Sequence, residues 1–294
     1  MVHNITEKAY KASNGKTYDL PHGDRLWTKP LGKKVLILDV DSRFTLETGN
    51  LLNQSLLHKD TVEKKTAGRL SHMMYAMIHG YDYRFVRAPN FTDRFGTWTK
   101  VPILREAVAS YDTVVFLDAD AGFVHMDLPL EWLMNYWKIT KDTSLTLAKD
   151  PDTHTNRDSK GLVLLNTGFI IARKSDRTQE ILRALEDCPN DKRWKGCSKW
   201  KFEWAHEQRA FGEYIRYSYN KTTDINAITM SDANTPGGVF IRHDWYKNKD
   251  PLENMQRGMM DMLVGRTHMH FHEELDHYYK DLGQLKHPLR NIEI

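Results

Sequence analysis

Apolar and polar positions along this chain fall into blocks. Val35-Leu36-Ile37-Leu38 is a short branched apolar run after Lys33-Lys34, with the length and composition of a strand buried on both faces. Residues 61–79 have helical periodicity, with Leu70, Met73, Met74, Met77 and Ile78 on one face and Gly80 as the stop. Tyr83-Arg84-Phe85-Val86 reads as a second strand. A helix follows from about Lys100 to Ser110, carrying Val101, Leu104 and Val108, with Pro102 in its first turn. Thr113-Val114-Val115-Phe116-Leu117 is a third buried strand. Leu145-Thr146-Leu147-Ala148 and Gly168-Phe169-Ile170-Ile171-Ala172 are later strands, and residues 175–187 and 204–217 are amphipathic helices. Residues 1–32 are polar with little periodicity and read as an N-terminal stem or arm, which leaves 33–294 as one domain.

The succession of strand, helix, strand, helix, strand predicts an α/β fold, with a mostly parallel central sheet and helices on both faces. In such sheets ligands bind outside the carboxyl ends of the strands, at a switch point in strand order. The acids Asp39, Asp41, Asp118 and Asp120 all lie just past a strand end, so the chemistry is expected there.

In Val114-Val115-Phe116-Leu117-Asp118-Ala119-Asp120, a buried strand delivers two carboxylates separated by one small residue. On an extended backbone the two side chains share a side, and hard oxygen ligands at that spacing suit Mn²⁺ or Mg²⁺. Such a cation neutralises a diphosphate, so a sugar–phosphate bond can break while charge builds on the leaving group. Thr267-His268-Met269-His270-Phe271-His272 offers a nitrogen ligand to the same cation. Leu165-Asn166-Thr167-Gly168 reads as a polar turn before a strand, with Asn166 and Thr167 able to bond sugar hydroxyls and Gly168 permitting close approach. Glu207 and Gln208 open an amphipathic helix, from which either could face a cleft and hold a sugar. Read without context, each segment also has a plain structural use: capping acids, surface histidines, a β-turn, and an acid favoured at a helix start.

Composition narrows the class. With 40% hydrophobic and 11% aromatic residues the chain can bury a sizeable core, and a net charge of +3 gives no reason to expect nucleic acid as a partner. Cys188 and Cys197 are too few for a thiolate zinc site; they fit either a local disulfide or two independent buried thiols. Four sequons, at Asn4, Asn53, Asn90 and Asn220, lean towards a secretory lumen. No apolar run is long enough to span a membrane, so a membrane protein is expected only through an anchor outside this sequence, with a cytoplasmic protein as the alternative.

Trp98-Thr99-Lys100-Val101-Pro102-Ile103-Leu104-Arg105, then Phe116-Leu117-Asp118-Ala119-Asp120-Ala121-Gly122-Phe123, then Leu165-Asn166-Thr167-Gly168, then Glu207-Gln208, then His270-Phe271, resemble in order and spacing the galactosyl/xylosyltransferase family of retaining GT-A enzymes. His79-Gly80-Tyr81 is also similar, and the resemblance covers roughly residues 33–280. It implies a GT-A fold and a manganese-dependent retaining transfer of a hexose or pentose from a UDP- or GDP-sugar to a glycan acceptor. It implies a type II membrane protein of the Golgi lumen, with an oligomer or a complex with other glycosyltransferases as a further expectation. Carried over by position, Asp118 contacts the nucleotide ribose or metal shell and Asp120 ligates the metal, with His270 as C-terminal ligand and His268 in reserve. Leu38, Asp39 and Val40 line the base, and Lys100 and Ala119 belong to the donor site. Asn166, Thr167 and Gly168 face donor sugar or acceptor, and Glu207 with Gln208 stands near the anomeric carbon. The chain departs from the family pattern at His206-Glu207, where two acids are common, and at His272-Glu273, where Gly-Cys is usual. Two rivals remain. Leu36-Ile37-Leu38-Asp39-Val40-Asp41 resembles the first motif of haloacid-dehalogenase phosphatases, with Asp39 as nucleophile and Asp41 as general acid. An inactive, transferase-like subunit of a glycosylation complex is the other.

Overall fold

The computed structural model describes residues 2–273, apart from 22, 24, 59 and 246–250. The chain opens with an antiparallel hairpin, β1 (Ala9–Lys11) and β2 (Thr17–Asp19). This polar stretch, expected as a stem or arm, packs onto the domain: Tyr10 and Trp27 are buried, the Tyr10 hydroxyl donates to Asp127, and the Trp27 indole donates to the Ile139 carbonyl.

The order then runs β3 (Val35–Asp41), α1 (Lys64–His79), β4 (Asp82–Arg87), α2 (Lys100–Ser110), β5 (Thr113–Leu117), β6 (Ala121–Phe123), α3 (Leu130–Tyr136), β7 (Leu145–Lys149) and β8 (Leu165–Arg173). It continues with α4 (Asp176–Asp187), α5 (His206–Ala210), a π-helical turn at Phe211–Ile215, α6 (Arg216–Ser218), β9 (Ile225–Ile228), α7 (Met230–Ala233), β10 (Ile241–His243) and α8 (Pro251–Glu273). Six strands form the central sheet in the order β4-β3-β5-β8-β7-β9, in which β8 alone runs against the others. The expected mostly parallel sheet is therefore present.

β3 and β5 are buried along their whole lengths, as continuous apolar runs require. Val35 and Ile37 pack with Tyr75, Phe123 and Trp132 in one apolar layer, and Leu36 and Leu38 pack with Trp98, Leu104 and Phe116 in the other. Each fully buried side chain of this kind contributes roughly 1.5–3 kcal/mol, so the sheet is held from both faces.

Three elements differ from their sequence patterns. α1 ends at Gly80 with φ +70°, as expected, but it buries a different face: Met73 and Met77 are exposed, while Ala67, Arg69, Ser71, His72 and Tyr75 point inward. Polar partners on β3 decide the orientation, because Arg69 and His72 bond the carboxylate of Asp39. β8 starts at Leu165 and draws Asn166, Thr167 and Gly168 into the strand, where a bulge against β7 replaces the expected turn. The expected helix over 204–217 is divided into α5, the π turn and α6, and Phe211 and Ile215 of the turn both reach the core.

Candidate active site

The carboxyl ends of β3 and β5 open into a polar cavity of about 550 Å³. Val40, Asp41, Ser42 and Arg43 form one wall, Thr97, Thr99 and Lys100 another, and Asp118, Ala119 and Asp120 the floor, with Asp244 and Trp245 at the edge.

Antiparallel pairing of β10 with β6 sets His243 opposite Ala121, next to Asp120. Ligand atoms of Asp118, Asp120 and His243 all lie within 4.8 Å of one another, with His243 Nε2 3.4 Å from Asp120 Oδ1. The His243 ring is held from behind. Its Nδ1 lies 2.9 Å from Asn234 Oδ1, and the Asn234 amide in turn donates to Asp150 and to the Lys149 carbonyl. Because that amide group already donates, its oxygen is the acceptor, and His243 carries its proton on Nδ1 with Nε2 turned to the carboxylates. A Cβ on Gly168 would sit 2.2 Å from His243 Cε1, so only glycine there lets the ring lie down on β8. Gly68 does the same for the floor, since its Cβ would meet the Ala119 carbonyl oxygen at 1.9 Å.

The electrostatics fit a cation. Burial works against a charged Asp120, yet His243 beside it holds the carboxyl down at about 2; burial also opposes charge on His243, but Asp120 favours its protonated form, so a cation binding there would displace the Nε2 proton. Lys100 is buried, which favours its neutral form, but Asp118 and Glu207 hold it charged. Its ammonium donates to Asp118 Oδ1 at 2.9 Å and to the Thr167 carbonyl at 3.3 Å, which fixes the carboxylate. Two carboxylates and an imidazole presented by rigid strand ends suit a divalent cation of the Mn²⁺ type.

Several residues expected to line the site lie beneath it. Leu38 and Asp39 are enclosed, and only Val40 of that triplet reaches the cavity. Asp39 takes bonds from Arg69 at 2.7 Å, His72 at 2.8 Å and the Tyr83 hydroxyl at 2.7 Å, while Asp41 is gripped by Arg43 and Arg69. A carboxylate with no exposure and three partners cannot attack a phosphate monoester, so the phosphatase reading of Asp39 and Asp41 is withdrawn. Asn166 folds back, donating to Asp150 at 3.0 Å and accepting from Gly168 N at 2.7 Å. Thr167 is buried between Glu207 and Gln208. Glu207 itself is buried, bound by Lys100, Thr97 and Thr167, and Gln208 spans from Thr167 to Asp150. Asn166, Thr167, Glu207 and Gln208 form a supporting layer below the cavity. His268 is exposed on α8, and the side chain of His270 lies outside the described residues.

His243, Asn234 and Asp150 were not singled out by the sequence reading. Val239-Phe240-Ile241-Arg242-His243-Asp244 nonetheless carries the same signal as Leu117-Asp118, an apolar run ending in ligating side chains.

A mostly parallel sheet with one reversed strand and an acid pair at its carboxyl edge belongs to the GT-A class of glycosyltransferases. A crystal structure of a glycosyltransferase involved in glycosylation of the major capsid of PBCV-1 has this fold, with a TM-score of 0.52 and 14% identity, covering 77% of this chain and 98% of that one. The chain belongs to the galactosyl transferase GMA12/MNN10 family, which it matches over residues 59–234. It is 29% identical over 113 residues to xyloglucan 6-xylosyltransferase 1 of Arabidopsis thaliana, a stretch covering 37% of this chain and only 23% of that relative. The structure of the galactosyltransferase LgtC with donor and acceptor sugar analogues aligns at a TM-score of 0.45 and 10% identity, over 78% of this chain and 95% of that one.

Proposed function

We propose that this protein transfers a hexose or pentose from a UDP- or GDP-sugar to a glycan acceptor, with Mn²⁺ or Mg²⁺ at Asp118, Asp120 and His243. The observation that carries this is the convergence of those three ligands on the floor of a cavity large enough for a nucleotide diphosphate. When bound, the cation offsets the charge that develops on the diphosphate leaving group. The chain's own residues do the rest. Lys100 orients Asp118, Asn234 orients His243, and Arg43, Lys64 and Lys65 bring positive charge to the cavity wall where phosphates would lie. Glu207 and Gln208 act as struts that fix Lys100, Thr167 and Asp150. Retention of configuration is the outcome the family resemblance implies.

The same reading places the protein in an oxidising lumen of the Golgi type. Its support is the Cys188–Cys197 disulfide, which cross-links the polar loop after α4, together with Asn4 and Asn220 as exposed sequon asparagines. Among the described residues no helix is long and apolar enough to cross a membrane; attachment to the Golgi membrane and assembly with other glycosyltransferases belong to the same proposal.

Calorimetric titration of UDP and of GDP, with and without Mn²⁺, tests the reading on the wild type and Asp120→Ala. Manganese-dependent binding lost in the variant is expected. Nucleotide binding without hydrolysis or transfer of any sugar would favour the inactive-subunit alternative, and no nucleotide binding under any metal would overturn both.

A further inference from the structure

Beside the cavity mouth three large aromatic side chains stand in solvent: Phe95 at 48% exposure, Phe202 at 61% and Trp204 at 56%. They belong to two segments, 95–98 and 200–207, that are laced together. Phe95 N donates to the Lys201 carbonyl at 2.8 Å, the Trp98 indole donates to the Trp200 carbonyl at 3.1 Å, and Thr97 bonds the buried carboxylate of Glu207. Phe95 lines the cavity and stacks flat on His206, with ring centroids 3.9 Å apart and planes within 5°. His206 holds φ +55°, a conformation that costs a residue with a side chain on the order of 1 kcal/mol and that gathers at ligand sites. Exposed aromatics on a rigid, locally strained support are a standing desolvation liability unless something covers them.

We propose that this aromatic ledge is the docking surface for a neutral acceptor glycan, whose pyranose rings stack their C–H faces on Phe95, Phe202 and Trp204 so that one hydroxyl reaches the cavity. This rests on the transferase reading above and names the acceptor side of the same site. The choice of a glycan follows from the mixture of groups. Along Lys201-Phe202-Glu203-Trp204 aromatic side chains alternate in sequence with hydrogen-bonding ones, a mixture that suits a sugar ring, apolar on its faces and polar around its rim. The choice of a neutral glycan follows from charge: Asp93 is bonded by Arg94 at 2.9 Å and lies 3.3 Å from Lys201, so these two cations are already paired, and Glu203 between Phe202 and Trp204 repels an anionic sugar. Continuity with the donor cavity through Phe95 is what an acceptor, which must meet the donor sugar, requires.

The test probes an array of neutral oligosaccharides of glucose, mannose, galactose and xylose with wild type, Trp204→Ala and Phe202→Ala, in parallel with Mn²⁺–UDP and Mn²⁺–GDP titrations and with binding to phosphatidylserine vesicles. The expected result is wild-type binding to a subset of glycans, weakened about tenfold or more in Trp204→Ala and several-fold in Phe202→Ala, with nucleotide affinity and melting temperature unchanged. Glycan binding by the variants equal to wild type, or no glycan binding by wild type, overturns the ledge even if nucleotide binding is intact. Vesicle binding that the two substitutions abolish, with glycan binding untouched, assigns the rings to a membrane surface and also overturns it. Loss of nucleotide binding in the wild type would strike the transferase reading separately.

Discussion

Leu38-Asp39-Val40-Asp41 and Leu117-Asp118-Ala119-Asp120 end neighbouring parallel strands in the same pattern, an apolar residue and two acids one residue apart. At the end of β3 the acids are closed off: Arg69, His72, Tyr83 and Arg43 consume them, and Asp39 has no exposure. At the end of β5 the acids face the cavity, steadied by Lys100 and His243 but still open to a ligand. The residue between them contributes to the difference. Gly68 of α1 lies against the Ala119 carbonyl, whereas the Val40 carbonyl accepts a hydrogen bond from the Arg69 guanidinium of the same helix. The same triplet thus becomes a structural ion-pair node or an open pair of acids on a cavity floor according to what the adjacent helix brings.

The contrast can be broken most strongly at Arg69. Arg69→Met leaves buried Asp39 and Asp41 short of a partner and should destabilise the fold by roughly 3–5 kcal/mol, read by urea unfolding, whereas Asp120→Ala should change stability by no more than about 0.5 kcal/mol. Asp120→Ala should instead weaken Mn²⁺-dependent nucleotide binding by about a hundredfold or more, roughly 2.7 kcal/mol; retained binding would place the cation elsewhere. Acid acts on carboxyls at both strand ends, and the β3 end gives the next test. The Asp41 carboxyl, which burial would raise, is held at about 2 by hydrogen bonds from Arg43. A carboxyl depressed in the folded state stabilises above its ordinary value and loses that contribution as pH falls, here between about pH 4 and pH 2, worth ~2 kcal/mol. In Arg43→Ala the folded-state carboxyl rises towards its ordinary value, so that acid-dependent loss should shrink in an unfolding series against pH. Asn234→Leu should lower Mn²⁺ affinity by about 10- to 100-fold, measured by electron paramagnetic resonance titration of free Mn²⁺, and should cost about 1–3 kcal/mol of stability because buried Asp150 and the Lys149 carbonyl lose a donor. A Gly168→Ala variant should act in the same direction, because its methyl group displaces His243 from the floor.

Much of the sheet was legible because buried parallel strands must be apolar on both faces, and α2 was legible because its apolar spacing and Pro102 mark its limits. Asp118 and Asp120 could be found because strand-end position and residue type coincide. The inward face of α1 was not legible: hydropathy gives weight to Met73 and Met77, while the fold turns on Arg69 and His72 bonding acids about thirty residues earlier. His243 was missed because the pairing that brings it to Asp120 joins strands more than a hundred residues apart, and a histidine triplet nearer the C-terminus drew the eye. Glu207, Gln208 and Asn166 were expected to face a sugar, but whether each points into a cavity or into its foundations depends on partners such as Asp150, which no local pattern marks.

The reversed direction of β8 shapes how this enzyme scaffold can vary. The chain leaves β7 at Lys149 on the ligand edge and re-enters β8 at Leu165 on the same edge, where Asp118 N donates to the Gly168 carbonyl. Residues 150–164 are therefore an excursion that starts and finishes beside the cleft without traversing the sheet. Such a segment can lengthen, shorten or be exchanged while strand order stays fixed, so selectivity can be rewritten there with the catalytic floor left in place.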